Sequence, residues 1–189
     1  MRIILATKSE YKIEAFKNLK IDFKAIAADV DEKDYRSDDP KKLVLELAKR
    51  KAEVVSAKNP DAIIIGLDSV GFFKDKILEK PKTKEEAVQR LKELSGKSHI
   101  CFTGVCMIIP EKESFLEVSK TFVKLRELSD KEIKRYVEND PAVLDICLGY
   151  DPGINISASF VESCEGSLHN LLTGVPFEII VPVLEKYLD

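Results

Sequence analysis

Residues 62–65, Ala-Ile-Ile-Ile, are apolar without alternation and read as a short strand buried on both faces. Gly66 closes the run and Asp68 follows. An acid at the end of a buried strand stands where open α/β sheets place ligands, in the crevice beyond the strand ends. Burial makes its charge costly, which suits a base or a metal ligand; the plainer alternative is a turn cap. Residues 2–6 predict a first strand, Thr7-Lys8-Ser9 a turn, and Ser9 the N-cap of a helix with Ile13, Phe16 and Leu19 on one face. Residues 22–28 predict a second strand, running into the acidic stretch Asp29-Val30-Asp31-Glu32. Asp39 caps and Pro40 opens a helix whose apolar face holds Leu43, Val44, Leu47, Ala48, Val54 and Val55.

Downstream, residues 71–79 predict a hairpin with Lys74-Asp75-Lys76 at its tip. Thr83 and Glu86 form a capping box for a helix carrying Ala87, Leu91 and Leu94, which Ser95-Gly96 ends. Residues 99–109 and 115–125 predict two long strands paired across a turn. Ser129 and Glu132 form a second capping box, ahead of Ile133, Tyr136 and Val137. Residues 149–153 read as a loop, 156–162 as a strand by their alternation, and 172–176 as a turn. A last helix follows, with Pro182 expected in its first turn because an interior proline breaks a helix. No repeat or linker interrupts this order, so the 189 residues fit one domain, or one domain with two lobes.

Composition narrows the partners. The net charge of −3 argues against a general nucleic-acid coat, so basic residues must be gathered locally to hold an anion. The four cysteines form no C-x-x-C pair, which fits reduced thiols in a cytoplasm-like compartment. No apolar run reaches membrane-spanning length, and the N-terminal stretch is too short and charged for a signal peptide. Two histidines far apart in sequence argue against a histidine-based zinc site.

Three places then carry candidate chemistry. A strand, a polar turn and a helix N-terminus hold phosphate through free N–H groups and the helix dipole, with Lys8 and Lys12 adding charge; a plain βα corner is the alternative. The acids of residues 29–32 suit Mg²⁺ or Mn²⁺, or form a solvated loop. At about 100° per residue, Lys51 falls near the middle of the apolar arc of its helix. A lysine there either snorkels out or meets an anion, and phosphate is the anion expected. Lys80 precedes Pro81, which restricts it to extended geometry and positions it as a catalytic cation.

In this order the segments resemble the Maf-type nucleoside triphosphate pyrophosphatases, relatives of the inosine triphosphate pyrophosphatases. The likeness runs nearly end to end. It is carried by Leu5-Ala6-Thr7-Lys8-Ser9, Asp29-Val30-Asp31-Glu32, Leu47-Ala48 with Lys51-Ala52, Gly66-Leu67-Asp68 and Lys80-Pro81. It continues through Leu94-Ser95-Gly96 with His99, Thr103-Gly104-Val105, Phe160-Val161-Glu162, Glu165-Gly166 and Gly174-Val175-Pro176. The resemblance implies an elongated α/β fold with a mixed central sheet and two lobes around a cleft. It implies hydrolysis of a nucleoside triphosphate to the monophosphate and pyrophosphate, a divalent cation, and often a homodimer. By match Asp68 is the proton acceptor, Glu32 a metal-linked acid, and Lys51 and Lys80 phosphate-contacting lysines.

The chain departs from the resemblance in places. The family usually reads Ser-Pro-Arg-Arg after the first strand, whereas this chain has Ser9-Glu10-Tyr11-Lys12. Losing a bidentate arginine weakens phosphate binding. An aromatic at the matching position also marks the branch acting on 7-methyl-GTP, where it stacks on a base. The spacing of Gly166 to Pro176 resembles that branch too. The branch acting on dTTP and UTP carries a glutamine in the loop that here holds Ile154 and Asn155, leaving Asp151 and Asn155 as candidates for base readout. Ser69 replaces a residue that helps separate the branches. Gly149-Tyr150-Asp151-Pro152 is similar to the inosine triphosphate pyrophosphatases, a second reading; a non-catalytic nucleotide-binding regulator of division is a third.

Overall fold

The computed structural model describes residues 1–153 and 155–188. A mixed sheet of seven strands forms its centre, in the order β2-β1-β3-β5-β6-β7 with β4 against β3. In chain order the strands are β1 (Arg2–Ala6), β2 (Lys24–Ala25), β3 (Ala62–Phe73), β4 (Lys76–Leu78), β5 (Ser98–Ile108), β6 (Phe115–Leu125) and β7 (Val161–Gly166). The helices are α1 (Glu10–Lys17), α2 (Pro40–Ser56), α3 (Lys84–Leu94), α4 (Asp130–Asn139), α5 (Leu168–Thr173) and α6 (Phe177–Leu184). This is the mixed α/β architecture that the sequence predicts. None of these helices is long and apolar enough to cross a membrane.

The short strand expected at 62–65 is longer. β3 runs twelve residues straight through Gly66 and Asp68. It pairs parallel with β1 only as far as Ala6↔Gly66, and antiparallel with β5 from Ile64↔Ile108 to Phe72↔Ile100. Asp68 therefore does not end a strand. It sits mid-strand opposite Gly104, just past the point where β1 stops. The strand end beside Asp68 belongs to β1.

Alternation along β3 divides the core. Ile63, Ile65 and Leu67 face a cluster built with Phe16 of α1 and Ile180 and Leu184 of α6. Ile64 faces Ala48, Ala52 and Val55 of α2 on the other side. Beyond Gly71 the sheet enters a third cluster, where Phe73, Cys101 and Val123 meet Leu91 and Leu94 of α3 and Ile133 and Tyr136 of α4.

Helix α2 lies unusually close to the sheet. A Cβ on Gly66 would sit 2.1 Å from the Ala48 carbonyl oxygen, and one on Gly104 would sit 2.2 Å from that of Val44. Only glycine admits a helix backbone at that range. Asp39 caps α2 by accepting from the N–H groups of Lys41 and Lys42, and Pro40 takes its first turn, as the sequence predicts.

Several expectations need correction. The strand at 22–28 shrinks to two residues, because Ile21 and Phe23 turn into the α1/α6 core instead of extending the edge. Val54 is exposed at 37% rather than part of the apolar face. The box at Thr83 is half formed: Thr83 accepts from the Glu86 N–H, but Glu86 accepts from the N–H of Lys82. Ser129 and Glu132 do form the reciprocal box. Residues 156–160 are a 3₁₀ turn rather than strand, and 168–173 form α5 ahead of the expected turn. Pro182 lies inside α6, not in its first turn, since the helix already begins at Phe177; it sits on the exposed side, where water can satisfy the carbonyl it leaves free.

Candidate active site

The close approach of α2 brings Lys51 down onto Asp68. Its Nζ donates to Asp68 Oδ1 at 2.6 Å and pairs with Glu32 Oε1 at 2.7 Å. Glu32 opens a 3₁₀ turn (Glu32–Asp34) between β2 and α2. One ammonium thus ties together three segments distant in sequence, and it is the lysine in the middle of the apolar arc that does so. Asp68 is buried, at 7% exposure.

The charges in this cluster are unequal in footing. Burial drives the Asp68 carboxyl above its ordinary value, and Lys51 and Lys12 pull it back only in part. Burial would lower Lys51, but two carboxylates, Asp68 and Glu32, hold its ammonium above the usual range. Burial would raise Glu32 as well, yet the Lys51 hydrogen bond and the charges of Lys51, Lys80 and Lys12 keep its carboxyl low. Lys51 stays cationic, Glu32 anionic, and Asp68 is the member poised to take a proton. Lys80 is exposed and makes no direct bond to the acids; it acts on Glu32 through space.

The β1–α1 turn borders this cluster beyond the end of β1. Thr7 Oγ1 accepts from the Ser9 N–H at 3.1 Å, and Lys8 is exposed. Ser9 is the N-cap of α1, as predicted, but its side chain makes no capping bond, so it does not occupy the helix's N-terminal N–H groups. Lys12 is half-buried. Desolvation lowers it to about 8, against the attraction of Asp68 and Glu32 and with the repulsion of Lys51. Its Cε lies 3.2 Å from where a Cβ on Gly174 would stand, and Ser69 Oγ lies 3.0 Å from the same point. Ser69 in turn shares a 2.7 Å hydrogen bond with Thr103 across the β3–β5 pair.

On the far side, Tyr11 reaches the buried Asp151. Burial first, then the charges of Asp151 and Asp140 and a hydrogen bond with Asp151, push its phenol up to about 12. Asp151 Oδ1 also accepts from the Gly153 N–H at 2.7 Å, its N–H donates to the Tyr136 hydroxyl, and its carbonyl accepts from Ser157. Asn155 has a left-handed backbone, φ 59°, and its amide donates to buried Asp140 at 3.1 Å. Ile154 lies outside the described residues.

Of the residues singled out from sequence, Glu32, Lys51 and Asp68 come into contact, and Lys12 and Lys80 act on them through their charge. Thr7, Lys8 and Ser9 belong to the adjoining turn. Tyr11 and Asp151 meet, whereas Asn155 is engaged by Asp140 rather than by either of them. Sequence reasoning passed over Thr103, which sets Ser69, and Gly174, which packs against Lys12. It also passed over Cys147, whose thiol is coupled to the charges of Lys12 and Asp68. Gly174 follows α5 with φ 65°, and it stood in the sequence only as part of the resemblance motif Gly174-Val175-Pro176, with no role of its own.

A charged cluster around buried Asp68, past the end of β1 in a mixed sheet with helices packed on both faces, defines an α/β architecture. The same fold is seen in a HAM1 protein from Coxiella burnetii, with a TM-score of 0.53, 14% identity, and coverage of 98% of this chain and 99% of that one. The chain belongs to the Maf-like protein family, whose model matches residues 2–187. Relatives include the 7-methyl-GTP pyrophosphatase of Nitrosococcus oceani, 32% identical over 97% of this chain and 92% of that protein. The dTTP/UTP pyrophosphatase of Thermosipho melanesiensis is 39% identical, over 97% of each chain. That of Clostridium perfringens is 33% identical over 99% of this chain and 97% of its own length.

Proposed function

We propose that this chain hydrolyses a nucleoside triphosphate to the monophosphate and pyrophosphate, with 7-methyl-GTP favoured over dTTP and UTP. The observation that carries the reading is the Lys51 ammonium gripped at once by Asp68 and Glu32. Full-length relatives bearing pyrophosphatase names support it. Lys51 holds Asp68 Oδ1, so the second carboxylate oxygen orients a water and accepts its proton as the water attacks the α-phosphorus. Lys51, Lys80 and Lys12 neutralise charge on the phosphate oxygens while pyrophosphate departs. No covalent nucleophile is needed. The Tyr11 ring and the Asp151 carboxylate favour an electron-poor purine such as 7-methylguanine.

Among the described residues, no three His, Cys, Asp or Glu side chains are grouped to hold a metal ion. Two carboxylates already sharing one cation fit Mg²⁺ or Mn²⁺ that arrives with the polyphosphate, since Mg²⁺ binds through one or two carboxylates plus substrate phosphates. Glu32 and Asp68 would hold it, and it would supply Lewis-acid neutralisation of phosphate charge. The free thiols of Cys101, Cys106, Cys147 and Cys164 suit a reducing cytoplasm.

A panel of 7-methyl-GTP, UTP, dTTP, 5-methyl-UTP, ITP and XTP, with Mg²⁺ or Mn²⁺ and then with chelator, tests this reading. Pyrophosphate release is expected with metal, fastest for 7-methyl-GTP, and abolished by chelator. Binding without turnover on every nucleotide contradicts an enzyme.

The pH profile carries a second expectation. A free enzyme whose Lys12 titrates near pH 8 loses a phosphate-facing cation above that pH, so kcat/KM falls on the alkaline side. Lys12→Arg stays charged and removes that limb. Identical alkaline limbs in the two proteins exclude Lys12 as their source.

A further inference from the structure

The site continues past Lys80. Three of the segments that supply site residues, those of Glu32, Lys51 and Lys80, also wall a hollow of about 540 Å³. The loop after Glu32 brings Arg36, the helix of Lys51 brings Leu43 two turns earlier, and the hairpin leading to Lys80 brings Lys76 and Ile77. Its volume falls within the range of small-molecule sites. Leu43 and Ile77 belong to one apolar cluster and give the hollow an apolar side. Its cations differ in what they already hold. Arg36 is paired with Glu79 and Arg90 with Glu86, while Lys76, Lys80 and Lys82, which share the lining with Asp38 and Asp75, stand in no ion pair among the described residues.

A nucleoside triphosphate that ends at its γ-phosphate leaves this hollow without a use. On the reading above, with the base at Tyr11 and Asp151 and the attacked phosphorus at Asp68, the tail would run past Glu32 and Lys51 toward Lys80, which also lines the hollow. We propose that the hollow seats a second nucleoside joined to the far end of the polyphosphate, so that the chain also cleaves dinucleoside polyphosphates. The second base lies on Leu43 and Ile77, and the added phosphates lie against Lys76 and Lys82. This rests on the pyrophosphatase reading above and extends it to a substrate class. In the step itself, water attacks the α-phosphorus and its proton passes to Asp68. The bond from that phosphorus to the bridging oxygen breaks, and the oxygen leaves with the second nucleotide. A dinucleoside triphosphate yields a nucleoside monophosphate and a nucleoside diphosphate.

The test compares 7-methyl-GTP with the 5′,5′-tetraphosphate-linked dinucleotide of 7-methylguanosine and guanosine, and UTP with diuridine tetraphosphate. Wild type and the Lys76→Glu/Lys82→Glu double variant are assayed for nucleoside monophosphate. The proposal expects at least one dinucleotide to be cleaved within about tenfold of the kcat/KM of its triphosphate, and the double variant to lower that value about tenfold or more. Triphosphate hydrolysis should change by less than about twofold, since neither lysine belongs to the catalytic cluster. Turnover of a triphosphate with no cleavage of either dinucleotide overturns the proposal and leaves the pyrophosphatase reading standing. So does an equal effect of the double variant on both substrate types. Failure of every substrate rejects the pyrophosphatase reading, and this proposal with it.

Discussion

Asp68→Asn should lower kcat for pyrophosphate release by about three orders of magnitude, the middle of the range that a positioned proton acceptor contributes. The fold should survive the change. An acid whose pKa is raised on folding adds stability below its unfolded value and gives it up as pH climbs through the folded one. Asp68 is such a group, because burial outweighs the pull of Lys51 and Lys12. At neutral pH its charge therefore costs stability, and asparagine avoids that cost. Asparagine also leaves Glu32 as the one carboxylate ion-paired with Lys51. The two effects oppose, so the melting temperature should stay within about 3 °C of wild type. Full activity in a folded variant would remove Asp68 from the chemistry.

Gly66→Ala should be the most damaging small substitution for the fold. The new methyl would stand 2.1 Å from the Ala48 carbonyl oxygen, which is helix backbone and has no rotamer to escape into. Overpacking of this kind costs about 3 kcal/mol, or about 6–12 °C in melting temperature for a chain of this size. If α2 instead lifts to make room, it carries Lys51 away from Asp68, and activity falls with stability. Gly104→Ala meets the Val44 carbonyl oxygen at 2.2 Å and should behave alike. Calorimetry together with the pyrophosphate assay reads both effects; an unchanged melting temperature and rate would mean that α2 does not rest on these glycines.

What could be read from the sequence was what local chemistry determines. Lys51 betrayed itself by standing among Leu47, Ala48 and Val55, where a lysine either snorkels out or meets an anion. The start of α2 was legible because Asp39-Pro40 leaves little alternative, and β1 because its apolar run stops at a polar turn. What could not be read depended on partners far away in the chain. β3 passes from one core cluster into another, so Gly66 looked like an end, and only the pairing with β5 shows that the strand continues. The alternation at 156–160 imitated a strand, but the buried residues are Ser157 and Phe160, at 3₁₀ spacing. Ser157 tolerates burial because its hydroxyl donates to the Asp151 carbonyl, a bond invisible without the fold. The meeting of Tyr11 with Asp151 spans most of the chain, and no local pattern announces it.

One crystal structure decides the matter: the protein with Mn²⁺ and an α,β-methylene analogue of whichever triphosphate it turns over best. The phosphates should lie against Lys51 and Lys80, with the side chains of Glu32 and Asp68 facing the ion and the base near Tyr11. A nucleotide bound with its tail out of contact with Lys51 and Asp68 would contradict the account at its root.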